Sequence, residues 1–499
     1  MGFLSYWRSP IRFRNYYWRS LSRRILYGLI FCVVIALIAI GANGCQAQAG
    51  IVPVLPQHPK IQVFFNQNQA SRYTDPYRNI ERLGDNLERI IIDNIVKSKV
   101  SLDIAVQELR LPIIAKAIAD AQTRGVKVRL ILENKYSLAW SEFTSAEIEK
   151  LSDRDRDAYK EFQKFVDVDK DGRLSEAELN NRDALKIIKS ANIPWIDDTA
   201  DGSKGSGLMH HKFIVIDNKI VLFGSANLTM SDIHGDFSNP ETRGNANNLL
   251  AIDSKELATM FKKEFNLMWG DGSGGKPDSL FGTKKPSRKI DYLIIGGAQI
   301  RIKFSPEIES AAREQTSNGL IATAIAGTKK SIDMALFVFS EEFISAILQE
   351  RQQDNVQIRT LIEPKFAYRD YSAALDMWGL QSTQDCKTGK SSAWKQPLKT
   401  VGIPNLVTGD MLHHKFAILD RQLILTGSHN WTKAANHIND EILVAIQNET
   451  VAAHYQREFD RLNQGATFGP TAKLVQATSK SCDQRVKGSP KATIEEAEF

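Results

Sequence analysis

The chain has 499 residues, enough for two or three ordinary domains with substantial cores, and its 42% hydrophobic content excludes a bundle made mainly of membrane-spanning helices. The formal net charge of +6 comes from six arginines in residues 1–49, which contain no lysine or acid. Taking these six from the 64 basic residues leaves 58, equal to the 58 acidic residues, so the body is formally neutral. This excludes recruitment of nucleic acid by global charge, although a local basic cleft stays possible.

Residues 1–49 predict a signal peptide or membrane anchor. The arginines precede an uncharged apolar stretch, residues 25–40, which is long for a signal-peptide core and short for a membrane span. The positive-inside rule places the N-terminus in the cytoplasm and the body outside. Three fates stay open: cleavage before a lipid-modified Cys45, cleavage at an A-x-A site at residues 47–49, or an uncleaved anchor. We expect an exported protein that associates with the membrane through its N-terminus as an anchored protein or lipoprotein, or alternatively a secreted or periplasmic protein.

The body predicts an internal duplication. Three short apolar or alternating segments recur in the same order, residues 60–66, 101–106 and 126–133 corresponding to residues 299–305, 331–336 and 356–363. Each predicts a strand, and a helical pattern ending at Gly125 separates the second and third. Strand–helix–strand order implies mixed sheets. We therefore predict an α/β fold with two duplicated halves, residues 58–269 and 293–466, that form one shared active site.

The spacing of the repeats exposes an insertion in the first half. The second and third strand pairs are each offset by 230 residues, whereas His210 and its counterpart His413 are offset by 203. The first half therefore holds 27 extra residues, the difference of these offsets, between Glu133 and His210. A helix–loop–helix of that size is expected at about residues 141–190.

Within the insertion, residues 167–178 (DVDKDGRLSEAE) match the twelve-residue EF-hand calcium loop, with Gly172 at its sixth position. The predicted ligands are Asp167, Asp169, Asp171, the carbonyl of Arg173, Ser175 and Glu178. Oxygen-only ligands on a flexible loop favour calcium over magnesium. We expect a structural or regulatory calcium site with a dissociation constant of roughly 10⁻⁴–10⁻³ M. The alternative is a solvated acidic turn.

Two further segments are predicted from composition. Residues 270–292 are rich in glycine, proline and charge, which predicts a solvated linker between the halves. Residues 467–499 are polar and poorly periodic, which predicts a mobile tail. Cys386 and Cys482 could form a disulfide if the body is exported, but the sequence alone does not establish that pairing.

Each half carries one copy of a motif: His-x-Lys, four residues, Asp, six residues, Gly-Ser-x-Asn. The candidate residues are His210, Lys212, Asp217, Ser225 and Asn227 in the first copy and His413, Lys415, Asp420, Ser428 and Asn430 in the second. On a strand, His210 and Lys212 share one face, whereas His211 and Asp217 point to the other. The first histidine of each pair is thus the expected catalytic imidazole, and the aspartates are expected to brace turns.

The motif supplies what cleavage of a phosphodiester needs. A neutral imidazole can attack phosphorus, and a protonated one can donate to the leaving oxygen. Lysine, asparagine and serine side chains can bind the non-bridging oxygens, where charge builds in the transition state. We expect no metal to be needed for catalysis. Since each half holds one such histidine, a single site must form where the two motifs face each other.

The paired motif resembles the phospholipase D superfamily, over most of residues 60–465. The resemblance implies that His210 forms a phosphohistidine, that His413 is the general acid, and that water or an alcohol then releases the product. Relatives often have a carboxylate downstream of the motif to orient the histidine. Glu441 occupies that position in the second half, but Asn247 occupies it in the first. We therefore expect electrostatically unequal halves.

The expected function is a phospholipase D-type hydrolase that cleaves membrane phospholipids on the head-group side to leave phosphatidate. Its apolar N-terminus would hold the site near a membrane, and the neutral body gives no simple argument for nucleic acid. One alternative is an exported nuclease of the same superfamily, which the GSHNW form of the second motif also resembles. The other is a catalytically inactive, calcium-dependent surface-binding protein. No protein partner is implied.

Overall fold

The computed structural model describes residues 52–203, 207–480 and 482–488, so the predicted signal peptide or anchor lies outside the described residues. The chain divides into two units, Met1–Pro53 and Val54–Phe499, and all elements below belong to the second. Within the described part of the chain, no helix is long and apolar enough to cross a membrane.

The first half alternates strands and helices along the chain. Its strands are β1 (Ile61–Phe65), β2 (Arg72–Thr74), β3 (Glu81–Leu83), β4 (Ser101–Val106), β5 (Lys127–Leu132), β6 (Trp195–Asp197), β7 (Lys212–Ile216), β8 (Ile220–Gly224) and β9 (Asn248–Asp253). Its helices are α1 (Leu87–Val96), α2 (Pro112–Thr123), α3 (Ser145–Glu149), α4 (Asp153–Val166), α5 (Glu176–Arg182), α6 (Ala184–Ser190), α7 (Met230–Ile233) and α8 (Lys255–Trp269). Short 3₁₀ turns lie at Asn134–Tyr136, Trp140–Glu142 and Ala200–Gly202.

The second half repeats this order. Its strands are β10 (Asp291–Ile295), β11 (Ala298–Ser305), β12 (Ser331–Leu336), β13 (Gln357–Ile362), β14 (Val401–Ile403), β15 (Lys415–Leu419), β16 (Leu423–Gly427), β17 (Glu441–Gln447) and β18 (Thr467–Phe468). Its helices are α9 (Ser317–Ala326), α10 (Glu342–Gln353), α11 (Pro364–Ala367), α12 (Ala373–Met377), α13 (Thr383–Thr388), α14 (Lys433–His437), α15 (Glu449–Asn463), α16 (Ala472–Thr478) and α17 (Cys482–Gly488). Gly282–Lys284 and Arg313–Gln315 form 3₁₀ turns.

The two main sheets show the same topology. Among the described residues, one sheet has the order β1-β9-β8-β7-β4-β5-β6 and the other β10-β11-β17-β16-β15-β12-β13-β14-β18. In each, two strand pairs are parallel (β4 with β5 and β5 with β6; β12 with β13 and β13 with β14), while the motif strands β7 and β15 pair antiparallel. The predicted α/β fold with mixed sheets is confirmed. The strands β10 and β18 extend the second sheet at its two edges.

The halves share one hydrophobic core. It joins Phe213 on β7 and Phe261 on α8 to Phe304 on β11, Phe416 on β15 and Tyr455 on α15, all at most 4% exposed. Two further cores lie on the other faces of the sheets, one under α1, α2 and α6 and one under α9 and α10. Because burying apolar area drives folding, the shared core fixes the halves against each other.

The segment predicted as a solvated linker is partly buried. Lys285 has no exposed side-chain surface and lies 2.5 Å from Glu264 Oε1 on α8 and 2.6 Å from Asp440 Oδ1 before β17. Phe281 is 1% exposed and belongs to the shared core. Composition predicted the lack of long elements there, but burial of Lys285 follows from two acids that are distant in the sequence.

The tail also differs from its prediction over the part that the structure describes. β18 pairs antiparallel with β14, α16 follows it, and a disulfide joins Cys482 at the start of α17 to Cys386 in α13. Strand pairing and a covalent link tie down a segment whose own sequence has little apolar periodicity. Residues 489–499 lie outside the described part of the chain.

Candidate active site

The two motif histidines lie where the halves join. Each precedes its strand by two residues, and backbone hydrogen bonds cross between the halves at both places. The His210 amide donates to the carbonyl of Asp440 over 3.0 Å, and the His413 amide donates to the carbonyl of Ala246 over 3.1 Å. Each motif is therefore positioned by the half that does not contain it.

His210 contacts a carboxylate from the opposite half. Its Nδ1 lies 2.8 Å from Glu441 Oε2, and that oxygen also accepts the Ser428 hydroxyl at 2.6 Å. Since this bond engages Nδ1, Nε2 is the ring nitrogen available to a substrate. Burial raises the pKa of Glu441 to about 8, while the nearby charge of Lys212 acts in the opposite direction.

His413 contacts a neutral amide from the opposite half. Its Nδ1 lies 3.0 Å from Asn247 Oδ1, which also accepts the Ser225 hydroxyl at 2.7 Å. Because an amide oxygen only accepts, the proton sits on Nδ1 of His413. Asp232 Oδ2 is farther away, at 3.7 Å. The halves are therefore unequal, and each orienting group acts across the junction.

The motif lysines are buried beside the histidines. Lys212 Nζ donates to Gln107 Oε1 and to the carbonyl of His210, both at 3.0 Å. Lys415 Nζ donates to the carbonyl of His413 at 2.7 Å and lies 4.7 Å from the Phe337 ring centroid. Burial lowers the pKa of Lys212 to about 8, and burial plus the charge of Lys212 lowers the pKa of Lys415 well below its usual range. A bound phosphate anion would reverse these shifts.

The same surroundings lower the pKa of both catalytic imidazoles. Burial first, and then the charges of Lys212 and Lys415, lower the pKa of His210 and His413 well below 6.5. Without an anion the site thus favours two neutral rings at pH 7. The negative charge of a phosphodiester favours protonation of one of them, which gives the nucleophile–acid pair that the chemistry needs.

The motif serines and aspartates do not face the cavity but hold other parts of the site in position. Ser225 and Ser428 donate to Asn247 and Glu441, so they orient the groups that hold the histidines. This differs from the prediction that they bind substrate oxygens. Asp217 accepts backbone hydrogen bonds from residues 99–101, and Asp420 accepts them from residues 329–331. Both aspartates brace the end of a motif strand and lie outside the cavity lining.

The motif asparagines remain candidates for substrate contact. Asn227 lines the cavity, and its backbone amide donates to Asp232 Oδ2 at 2.6 Å. Asn227 Oδ1 and Asn430 Oδ1 are buried and find no hydrogen-bond partner within the described residues. Both atoms are acceptors, so each is suited to a hydrogen-bond donor, and a phosphate oxygen could be bound only by the Nδ2 group of such a side chain.

Both histidines open into a cavity of about 470 Å³. Sequence reasoning missed several of its lining residues, among them Gln107, Glu108, Asp232 and Lys365. Asp232 follows the first motif by five residues, but Ala435 occupies the matching position of the second half, so the repeat gave no signal for it. The inserted helix α4 also lines the cavity.

The predicted calcium loop lies between α4 and α5. Carboxylate oxygens of Asp167, Asp169 and Asp171 lie within 4.8 Å of one another. Glu178 accepts the Val168 amide at 2.8 Å through Oε1 and the Ser175 amide at 2.9 Å through Oε2. Asp167 Oδ1 is buried without a hydrogen-bond partner in the part of the chain described. An orphaned carboxylate oxygen beside two further carboxylates fits a hard cation.

Comparison with known proteins shows which family and which relatives the chain resembles. Residues 91–269 and 321–463, more than half of the chain, match the family model described as "Cardiolipin synthase, PLD-like domain". The mitochondrial cardiolipin hydrolase of Xenopus laevis is 23% identical over 184 residues, 36% of this chain and 78% of that protein. The phospholipase D of Rickettsia bellii is 29% identical over 135 residues, 27% of this chain and 58% of that protein.

A solved structure shares the fold over most of both chains. The phosphatidylserine synthase of Haemophilus influenzae Rd KW20 aligns with a TM-score of 0.50 at 10% identity, covering 83% of this chain and 88% of its own. At that identity the likeness concerns the fold alone. The family match and the two facing motifs together show that the chain belongs to the cardiolipin synthase PLD-like domain family and is an enzyme of the phospholipase D type that acts on phosphodiester bonds.

Proposed function

We propose that this enzyme hydrolyses the head-group phosphodiester of phospholipids and leaves phosphatidate. The observation that carries this proposal is the unequal histidine pair in one cavity, His210 on Glu441 and His413 on Asn247. In the first step, Nε2 of His210 bonds to phosphorus while the bond to the head-group oxygen breaks and His413 gives that oxygen its proton. In the second step, His413 takes a proton from water, which attacks phosphorus and releases His210.

The charge of the cavity supports a lipid over a nucleic acid. Apart from the catalytic histidines, its described lining includes three cationic side chains, Arg110, Arg154 and Lys365. It includes seven carboxylates, namely Glu108, Asp155, Asp157, Glu161, Asp183, Asp232 and Asp236. Burial raises the pKa of Glu108, Asp232 and Asp236, but the lining still offers a polyanionic strand no excess of cations, whereas a single phosphate needs only the buried pair Lys212 and Lys415. The names of the curated relatives, cardiolipin hydrolase and phospholipase D, also refer to phospholipids.

A competition assay tests this proposal. The full-length chain is given mixed micelles of phosphatidylcholine, phosphatidylglycerol and cardiolipin together with single-stranded DNA. We expect phosphatidate and free head group from the wild type, and none from a His210→Ala variant whose circular dichroism matches the wild type. Cut DNA with intact lipid would instead establish the exported nuclease. Turnover of neither substrate by a folded protein would favour the inactive surface-binding protein.

We also propose that the body acts outside the cytoplasm, held at the membrane by its N-terminus. The disulfide between Cys386 and Cys482 supports export, since such bonds persist in oxidising compartments. The arginine-rich start followed by residues 25–40 supports a signal or anchor. Fractionation tests this: the protein should sediment with membranes, and a Cys45→Ser change should release it only if a lipid at that cysteine is the anchor.

We propose in addition that the loop between α4 and α5 binds calcium in a structural or regulatory role. The three aspartates, the orphaned Asp167 Oδ1 and the position of Glu178 support it. Titration calorimetry should give a dissociation constant of roughly 10⁻⁴–10⁻³ M. A Glu178→Gln variant should bind far more weakly, whereas Glu149→Gln, an exposed acid in the same insertion but outside the loop, should bind like the wild type. Equal heats for both variants would disprove the site.

A further inference from the structure

The inserted helix α4 lines the catalytic cavity and also leads directly into the proposed calcium loop. Seven of its residues line the catalytic cavity, among them Asp155, Glu161 and Phe162. The helix ends at Val166, and its C-cap is Asp167, the first ligand of the proposed calcium loop. The second half has no counterpart of this insertion in its spacing. One rigid element therefore connects the loop to a wall of the cavity.

The C-terminal part of α4 is joined to the segment of residues 232–247, which holds two side chains that face His413. Glu161 accepts the Ser238 amide at 2.9 Å and also the Ser238 hydroxyl. Phe165 packs edge-on against Phe237, with ring centroids 5.4 Å apart. These two residues lie between Asp232 and Asn247, whose side chains face the Nδ1 of His413. A movement of α4 thus acts on the segment that orients the general acid.

The same C-terminal part of α4 is also joined to α5, which carries Glu178. Arg182 on α5 donates to the Phe165 carbonyl at 3.1 Å and lies 5.0 Å from the Phe165 ring centroid. A calcium ion held by Glu178 and the loop aspartates would draw the start of α5 toward the end of α4 and neutralise their mutual repulsion. Through Phe165 and Glu161, that adjustment reaches the cavity wall.

We propose that the inserted helix pair is a calcium-responsive wall of the catalytic cavity, through which calcium tightens substrate binding without entering the chemistry. The inference rests on the proposed hydrolase activity and on the proposed calcium site. It assigns to the insertion a task that neither proposal includes: setting the Michaelis constant of the shared site through helix α4.

The test compares kinetics with calcium and with chelator, using the full-length chain and phosphatidylcholine in mixed micelles. In the wild type, saturating calcium should lower KM about fivefold, the lower end of typical coupling between sites, with little change in kcat. Glu178→Gln should remove this calcium effect, while Glu149→Gln should keep it. Ser238→Ala, which removes one of the two hydrogen bonds to Glu161, should reduce it.

The possible negative results can be distinguished, because each one overturns a different part of the argument. Calcium that binds by calorimetry but leaves KM unchanged overturns the inference and spares both proposals beneath it. A calcium effect of full size in Glu178→Gln also overturns it, because the ion would then act elsewhere. Absence of calcium binding removes the proposed site and the inference together, and absence of lipid turnover removes the proposed activity.

A spectroscopic measurement tests the wall without turnover. Trp140 lines the cavity, with its ring centroid 5.6 Å from that of Tyr159 and 6.2 Å from that of Phe162, both on α4. Calcium should change the tryptophan emission of the wild type, and most of that change should disappear in Trp140→Phe. An emission change that survives in full in this variant would contradict movement of the wall.

Discussion

At the scale of single residues, the two imidazoles differ in the group that holds Nδ1. When Nε2 of His210 bonds to phosphorus, the ring gains a positive charge that favours ionisation of Glu441, whose pKa burial raises to about 8, and the resulting carboxylate stabilises that charge. The amide of Asn247 carries no charge, and the nearest carboxyl, that of Asp232, is farther from His413 Nδ1, at 3.7 Å, so a protonated His413 releases its proton more readily. This difference supports His210 as the nucleophile and His413 as the general acid, the roles that the family resemblance implied.

The roles can be separated with an activated leaving group. A p-nitrophenyl phosphodiester leaves without protonation, so His413→Ala should still release a burst of p-nitrophenol, whereas His210→Ala should release none. With a phospholipid, His413→Ala should lose about 10²–10⁴-fold of kcat, the range for general acid–base catalysis, whereas His210→Ala, which lacks the nucleophile, should show no turnover. Stopped-flow absorbance measures the burst. A burst from His210→Ala but not from His413→Ala would reverse the assignment.

The depressed histidine pKa values predict an acidic optimum. Since burial and the two lysines lower the pKa of His413 below 6.5, the protonated acid becomes scarcer as pH rises. We expect kcat/KM for a phospholipid to fall as pH rises from the acidic side, and to fall further as Lys212, with a pKa of about 8, loses its charge. pH-stat titration of initial rates between pH 4.5 and 9 would check this.

A matched variant sets the control for that pH profile. Asn247→Asp places a carboxylate 3.0 Å from His413 Nδ1, which favours the protonated ring. The part of the alkaline limb that depends on His413 should therefore move to higher pH in this variant, while a p-nitrophenyl substrate should show only the fall caused by loss of charge on Lys212 in either protein. An unmoved limb would mean that another group supplies the proton.

At the scale of elements, the segment between the halves shows how a buried cation fixes a turn. Lys285 follows the 3₁₀ turn Gly282–Lys284 and pairs with Glu264 and Asp440. Glu264 also lies 3.6 Å from His211, the motif histidine that faces away from the cavity. The charged cluster around Lys285 therefore extends to His211, behind the first motif.

Replacement of Lys285 tests how much this charged cluster contributes to the free energy of unfolding. Lys285→Met takes the cation from buried Asp440 and leaves buried Glu264 with only Arg288 and His211 beside it, so it should lower the free energy of unfolding by about 3–5 kcal/mol. Lys284→Met, next to it but exposed, should change it by less than about 0.5 kcal/mol. Urea unfolding followed by tryptophan fluorescence gives both values. Equal midpoints for the two variants would contradict a structural role for the buried pairs.

At the scale of the whole molecule, local sequence patterns predicted most strands and helices, but they did not predict the contacts between residues that are distant in the sequence. The duplicated strands, the helix–loop–helix insertion and the facing of His210 and Lys212 follow from periodicity and spacing. The contact of Glu441 with the histidine of the other half does not, because it depends on how the two sheets meet. Asp232 and Lys285 were missed for the same reason: their partners are set by tertiary packing rather than by neighbours in the sequence.

The shared core makes a prediction about folding as a whole. Phe213 and Phe261 of the first half pack in one cluster with Phe304, Phe416 and Tyr455 of the second, so neither half buries its inner face alone. The backbone bonds at His210 and His413 cross the same junction. Activity, far-UV circular dichroism and tryptophan fluorescence should therefore be lost in one coincident urea transition. Expressed alone, residues 52–269 should expose that face and aggregate. Two separated transitions, or a soluble monomeric first half, would show instead that the halves fold independently and that the site assembles only when two finished domains dock.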